Sequence, residues 1–345
     1  MIARVTAAGW GLSPDPLLKD SLDLWSSRAL AAGQQLGVFA ELGRGPRTAA
    51  RLAGALGLTP DAARDLLDAL LALGWLQREG DDADAVYVST REGAHFLDPR
   101  SPAYLGDLLL AARAPWSGPH DAALDEALRA PAADTAPARS AAWETARLLM
   151  RQRLGTLYGS LLAQQGHPGP VLDLHGEGAR LACAWASRAS REVMVTTWQP
   201  TAQVPAALAQ VQACGLASRI RVRAVERRGD SEDLSDSSLP LHETAVLSLL
   251  LEPASAEQRR ARLAQGARAL APGGWLLVLE HLADDARRVH APALVFGLAG
   301  RMTGQQRGAL TEGELRADCR ACGLQDADCR PLPGGASVLR ARRPA

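Results

Sequence analysis

The stretch VLDLHGEGARLACAWASRA, residues 171–189, decides how the chain is read. Val171 to Leu174 is a short apolar run with one carboxylate, Asp173, inside it. A link containing Gly176 and Gly178 leads into a helical pattern that starts at Arg180. A buried strand that ends in a glycine turn and feeds a helix is the opening β-α unit of a parallel sheet. Similar units follow. EVMVTT (192–197), RIRVRAVE (219–226), TAVLSLLL (244–251) and WLLVLEHL (275–282) read as strands. VPAALAQVQACG (204–215), SAEQRRARLAQGARAL (255–270) and TEGELRADCRACG (311–323) read as helices. DADCRPLPGGASVLRARR (326–343) reads as a closing hairpin that adds antiparallel edge strands. The predicted class is α/β, with ligands expected outside the carboxyl ends of the strands.

Upstream the grammar is helical. LDLWSSRALAAGQQLGVF (22–39) has apolar residues at three- and four-residue spacing, and RTAARLAGALG (47–57) is a second helix closed by Gly57. Thr59-Pro60-Asp61 starts a third, AARDLLDALLALGWL (62–76). Residues 76–97 then supply two short strands around an acidic turn and a small helical start. Helix, short helix, helix and β-wing is a winged-helix arrangement. Its would-be recognition helix carries Asp61, Asp65 and Asp68 against Arg64 alone, which repels phosphates and argues against nucleic acid. Residues 101–165 are helical but broken by Pro and Gly, with a long amphipathic helix at 141–166. The expected organisation is a winged-helix domain over 1–100, a helical linker and lid over 101–165, and the α/β domain over 166–345.

The whole chain has 345 residues, 38 Lys+Arg against 38 Asp+Glu, and 47% hydrophobic residues. Zero net charge gives no general attraction to nucleic acid or anionic membranes. The apolar content is too high for disorder and too interrupted for membrane spans. Lys19 is the one lysine and lies in a polar stretch, so lysine catalysis is not expected. Five cysteines do not make a disulfide framework at this length. Cys319 and Cys322 read as partly buried thiols on a helix, with a redox pair or half a zinc site as the sharper alternative. The first residues lack the apolar run of a signal peptide, which points to the cytoplasm.

LGVFAELGRGPRTAARLAGALGL (36–58), RALAPGGWLLVLEHL (268–282) and RPLPGGASVLRARR (330–343) together resemble the plant-type and bacterial small-molecule O-methyltransferases, the family that includes hydroxyindole and caffeate O-methyltransferases. The resemblance covers nearly all of the chain. It implies a Rossmann-like class I methyltransferase fold behind an N-terminal winged-helix dimerisation domain, hence a homodimer acting on a hydrophobic small molecule.

The motifs that carry chemistry depart from the family pattern. Its glycine loop resembles D-x-G-x-G-x-G. Here Asp173 is present, the glycine positions hold His175, Glu177 and Ala179, and Gly176 and Gly178 stand between them. A one-residue slip recruits those two glycines. The family's ribose-binding D-L-P reads Trp198-Gln199-Pro200, so an indole replaces an acceptor carboxylate and is expected to intrude into the adenosine volume; Thr197 offers one oxygen. The adenine-side acid is matched by Asp230, or by Arg228 in an ungapped count. The L-H-D-W segment reads Leu251-Glu252-Pro253-Ala254, which puts Glu252 at the position of the family's base. Glu280 falls where the family has an acid that orients that base, and His281 follows it. The family's second acid is matched by Ala309, or by Gln306 with a gap.

These losses fall together on one function. The expectation drawn from them is a methyltransferase-like enzyme of natural-product biosynthesis that uses no cofactor and catalyses cyclisation, rearrangement or elimination, with Glu252, Glu280 and His281 as its acid and base groups. Trp116, Trp143, Tyr158, His175, Glu177 and Phe296 are expected to line its pocket, and Asp173, Gly176, Gly178, Thr197, Trp198 and Asp230 to form a reshaped cofactor site without metal. The alternatives are ordinary methyl transfer from S-adenosylmethionine through a reshaped loop, and a non-catalytic partner of an active homologue. The plain structural alternatives are a solvent-facing Glu252, a Glu280 that braces the sheet edge through backbone hydrogen bonds, and a satisfied core histidine at His281.

Overall fold

The computed structural model describes residues 15–80, 84–109, 141–167, 169–174, 176–225, 227–228, 231–232, 241–251, 254–288, 292–294 and 309–345. The chain divides into two compact units, Met1–Leu110 and Ala111–Ala345.

In the first unit the long N-terminal helix breaks at Gly37, whose φ of 87° no helix continues through, giving α1 (Asp15–Leu36) and α2 (Val38–Leu42). β1 (Arg47–Thr48), α3 (Ala49–Leu56), α4 (Pro60–Ala72), β2 (Leu76–Glu79), β3 (Val86–Ser89) and α5 (Arg91–Phe96) follow. Threonine side chains start three of these helices: Thr48 accepts from the Arg51 N–H, Thr59 from Ala62 and Thr90 from Gly93. Each such cap contributes about 1 kcal/mol by satisfying an end amide. The apolar stripes of α1 to α4 meet around Phe39, Leu52, Leu67 and Leu70, and β2 and β3 add Leu76 and Tyr87. The strands pair in the order β1-β3-β2, all antiparallel. Asp68 on the acidic α4 accepts from the Tyr87 hydroxyl at 2.6 Å and pairs with Arg78 at 3.3 Å, so part of that acidity is structural.

In the second unit the first described helix is α6 (Ala141–Ala163). β4 (Val171–Leu174) runs through a short 3₁₀ turn, Glu177–Ala179, into α7 (Arg180–Arg188). Then come β5 (Val195–Pro200), α8 (Val204–Ala213), β6 (Ile220–Val225), a two-strand ribbon of β7 (Arg227–Arg228) and β8 (Ser231–Glu232), β9 (His242–Ser248), α9 (Ala256–Ala269), β10 (Leu270–Glu280), α10 (Glu312–Ala321), β11 (Gln325–Pro331) and β12 (Ser337–Arg342). The seven-stranded sheet has the order β11-β12-β10-β9-β4-β5-β6. β6, β5, β4, β9 and β10 are parallel, and β12 is antiparallel to both of its neighbours.

Two sequence expectations shift here. The closing hairpin does not add two edge strands. β12 inserts between β10 and β11, because Val338, Leu339 and Ala341 are apolar enough to be fully buried, and the polar β11 takes the edge. β5 also runs on to Pro200 instead of stopping at Thr197.

Strand alternation sorts the two faces. Leu172, Leu174, Trp198, Leu247, Leu276 and Val278 pack on Leu263 of α9 and Leu315 and Cys319 of α10. Within that layer the Arg259 guanidinium meets Asp318 Oδ2 at 2.9 Å while Arg260 takes Oδ1 at 2.7 Å, so a buried ion pair is fully satisfied. Asp173, Thr197 and Ser248 belong to the other face.

Candidate functional site

β4 and β5 pair in register, Asp173 beside Thr197, so Asp173, Thr197 and Gln199 lie on one face at the carboxyl ends of adjacent strands. Thr197 Oγ1 donates to Asp173 Oδ2 at 3.0 Å. Gln199 Nε2 donates to Thr197 Oγ1 at 2.7 Å and to the Gly176 carbonyl. Gln199 Oε1 accepts the Gly178 N–H at 3.1 Å. All three side chains are buried. The relay therefore runs from Asp173 through two side chains into the backbone of the turn. A Cβ on Gly176 would fall on the Asp173 carboxylate and within 2.7 Å of Thr197 Oγ1, so glycine is required there. Gly178 (φ 67°) and Ala179 (φ 59°) both turn left-handed before α7 begins. The alanine pays ~1–2 kcal/mol for that conformation.

Gln199 was not among the residues singled out from sequence, and Trp198 is corrected. Its indole is 2% exposed and packs with the apolar layer of Leu172, Leu174 and Val225. Extending the strand to Pro200 makes 197 and 199 the outward pair and turns 198 to the opposite face. The indole therefore does not stand in the adenosine volume.

Between this turn and α6 lies a crevice lined by Arg151, Gln152, Gly155, Asp173, Gly176, Arg180, Leu181 and Ser248. Its volume is about 10 Å³, room for roughly one water. Ser248 Oγ is buried in it with no hydrogen-bond partner among the described residues. Residues bearing two guanidiniums, a carboxylate and a hydroxyl thus line one crevice at the start of α7. Sequence reading missed Arg151, Arg180 and Ser248, which no motif spacing marks.

A second turn follows β9. Leu249 is left-handed (φ 53°) and bonds back to the Leu279 carbonyl at 2.9 Å. Glu280 Oε2 accepts the Leu251 N–H at 2.8 Å and Oε1 accepts the His281 N–H at 3.0 Å. With both oxygens so engaged and 1% exposure, Glu280 clamps the backbone that leads to residue 252. Burial holds the His281 imidazole below its ordinary pKa, against the opposing pull of the Glu280 charge and a backbone hydrogen bond at Gly334. Tyr158 of α6 is fully buried and donates to the Pro333 carbonyl at 3.0 Å. Burial, reinforced by the Glu280 charge, pushes its hydroxyl well above the usual range. Tyr158 is a strut between α6 and the hairpin turn.

Trp116, His175, Asp230, Glu252 and Phe296, and the side chains of Trp143 and Glu177, lie outside the described residues. Among the described residues no cluster of His, Cys, Asp or Glu is arranged to hold a metal, and no helix is long and apolar enough to cross a membrane.

Comparison with known proteins agrees with this architecture. Residues 20–99 match the O-methyltransferase dimerisation domain. The chain is 27% identical over 350 residues to the tetracenomycin polyketide synthesis 8-O-methyl transferase TcmO of Streptomyces glaucescens, covering 96% of this chain and 97% of that protein. It is 29% identical over 298 residues to the 3-hydroxy-5-methyl-1-naphthoate 3-O-methyltransferase of Streptomyces sahachiroi, covering 81% and 82%. Human N-acetylserotonin methyltransferase, solved in complex with S-adenosylmethionine, superposes with a TM-score of 0.75 at 20% identity over 99% of this chain and 100% of that one. These findings overturn the expectation that no cofactor is used: the relatives are methyltransferases, and the human neighbour holds S-adenosylmethionine.

Proposed function

We propose, from the premise that this chain is one of the plant-type and bacterial small-molecule O-methyltransferases, that it transfers a methyl group from S-adenosylmethionine to a hydroxyl of an aromatic, polyketide-type intermediate. We further propose that it works in the cytoplasm as a homodimer joined through the matched dimerisation segment. The observation that carries the reading is the Asp173–Thr197–Gln199–Gly178 relay, which keeps a bare glycine turn at the sheet edge where such folds bind ligands.

The residues present fit the amino-acid end of that cofactor. The Asp173 carboxylate accepts from an ammonium, the Arg151 and Arg180 guanidiniums and the Ser248 hydroxyl suit a carboxylate, and Gly176 leaves the backbone uncovered. Ligand pockets commonly measure several hundred Å³. The crevice between the described residues is far smaller. When bound, S-adenosylmethionine supplies a methyl group activated by its sulfonium.

The chain's own residues then do three things. Gln199 fixes the turn against Thr197, so the Asp173 acceptor is preset. Glu280 holds the Leu251 amide and with it the start of the segment containing Glu252. Glu252, proposed as the base, takes the proton from the substrate hydroxyl, a task a carboxylate manages when the hydroxyl is a phenol of an extended aromatic system. His175, Glu177, Asp230, Trp116, Trp143 and Phe296 are proposed as walls of the cofactor and substrate spaces.

Calorimetry with S-adenosylmethionine and S-adenosylhomocysteine tests the first claim, and mass spectrometry of a hydroxynaphthoate incubated with enzyme and cofactor tests the second. Saturable binding and a product heavier by one methyl group are expected. Absence of both overturns the proposal. Glu252→Gln is expected to lower kcat about a hundredfold with S-adenosylhomocysteine affinity unchanged. An unchanged kcat removes Glu252 as the base.

A further inference from the structure

The turn after β9 is also held from α9. A capping box at Ser255 fixes where that helix begins. Arg259 and Arg262, three residues apart, then share one face of it. Arg262 Nη1 donates to the Leu250 carbonyl. Arg259 is 4% exposed, and its Nη1 reaches the Ala254 carbonyl at 3.5 Å. Its Nε donates to Asp318 Oδ2 at 2.9 Å, which anchors the guanidinium on α10. Cys322 of the same region reaches the Arg260 carbonyl with Sγ at 3.3 Å, so the thiol singled out in the sequence ties α9 down a second time. Two guanidiniums therefore grip the carbonyls on either side of residues 251–253.

We propose that Arg262 is a positioning residue for methyl transfer: by holding the Leu250 carbonyl, with Arg259 bracing Ala254, it fixes the turn that places Glu252 against the substrate hydroxyl. The inference rests on the reading of Glu252 as the base. A base works only within hydrogen-bond reach of the proton it takes, so the backbone that carries it must not drift. This backbone has a reason to drift, because Leu249 is left-handed (φ 53°), a conformation that a leucine resists. Three grips oppose it. The Leu249 N–H is bonded to the Leu279 carbonyl at 2.9 Å, the Leu251 N–H to Glu280 at 2.8 Å, and the Leu250 carbonyl to Arg262.

Leu250 and Leu251 are both buried, so a carbonyl released there has little water to turn to. Loss of the guanidinium therefore shifts the turn instead of merely solvating it. Arg262 is not among the residues that line the crevice beside Asp173. The effect is accordingly confined to the chemical step, leaving cofactor affinity alone. In the sequence, Arg259 and Arg262 lie in the run RRAR, which reads as a solvated charged face.

The experiment compares full-length wild type, Arg262→Met, Arg262→Lys, Glu252→Gln and the double variant Arg262→Met/Glu252→Gln, with a hydroxynaphthoate and S-adenosylmethionine. Arg262→Met is expected to lower kcat about tenfold, with KM and S-adenosylhomocysteine affinity unchanged. Arg262→Lys, which still donates to a carbonyl, should recover most of that loss. In the Glu252→Gln background Arg262→Met should cost less than about twofold, because the two residues act as a unit. Arg268→Met, an exposed change on the last turn of α9, should leave kcat at the wild-type value. Amide hydrogen exchange should be faster in the peptide spanning 249–254 of Arg262→Met, a readout that needs no methyl acceptor. An unchanged kcat or unchanged exchange in Arg262→Met, a loss equal in KM and kcat, or a full tenfold loss on top of Glu252→Gln would overturn the proposal. If Glu252→Gln lowers kcat and Arg262→Met does not, this inference falls and the base reading stands; a wild-type kcat in Glu252→Gln overturns both.

Discussion

The turns after β4 and β9 leave adjacent strands at the same edge of the sheet, yet they are held in opposite ways. After β4 the polar side chains bind one another first and the backbone second, in a relay that Gln199 completes. After β9 one carboxylate, Glu280, grips two amides directly. The first turn departs from most letters of the motif it resembles and keeps its shape through a residue two places along the neighbouring strand. The second keeps its letter at Glu280, and that letter serves the backbone. A motif position is thus a poor guide to which side chain meets a ligand.

The largest effect that separates the two turns is expected from Glu280→Gln. An amide offers one acceptor where two are used and turns an N–H₂ toward a buried N–H, which costs about 3 kcal/mol. Urea unfolding should show it as a lower midpoint. A wild-type midpoint would mean that the clamp is idle. Gln199→Leu leaves the Gly178 N–H and Gly176 carbonyl without their partner. It should cost about 2 kcal/mol and weaken S-adenosylhomocysteine binding in calorimetry, whereas Glu280→Gln should act more on kcat than on that affinity.

Acid sharpens the contrast from another side. Burial lowers the pKa of His281, His242 and His167, the last from 6.5 to about 4. The unfolded chain therefore binds more protons than the folded one below pH 6.5. Stability is complete above that value and declines as pH falls toward about 4. Thermal melts across this range should show the decline, and His167→Gln should make it shallower. Thr197→Val removes the middle hydroxyl of the relay without changing shape, for about 1 kcal/mol. The smallest change is Ala179→Gly. Relief of the left-handed alanine roughly offsets a lost buried methyl and added chain entropy, leaving a net effect within ~1 kcal/mol.

Strand and helix order, the parallel sheet and the glycine turn were all readable, because apolar runs and glycines report burial and backbone shape locally. Trp198 was misplaced because its role depends on where β5 ends: the strand runs three residues past Thr197, so alternation continues through 198 and turns its indole away from the ligand edge. Arg151 and Ser248 were invisible for a related reason: their meeting with Asp173 is made by packing between elements far apart in sequence. Glu280 was legible in position, and its two readings, proton carrier or brace, are separated only by the amides it accepts from.

The placement of β12 has a consequence for how the molecule is made. The flank of β10 finds its partner only when residues 337–342 have followed it out of the ribosome. Until then a growing chain carries a long, apolar strand with one bare side, open to pairing with a neighbouring nascent chain.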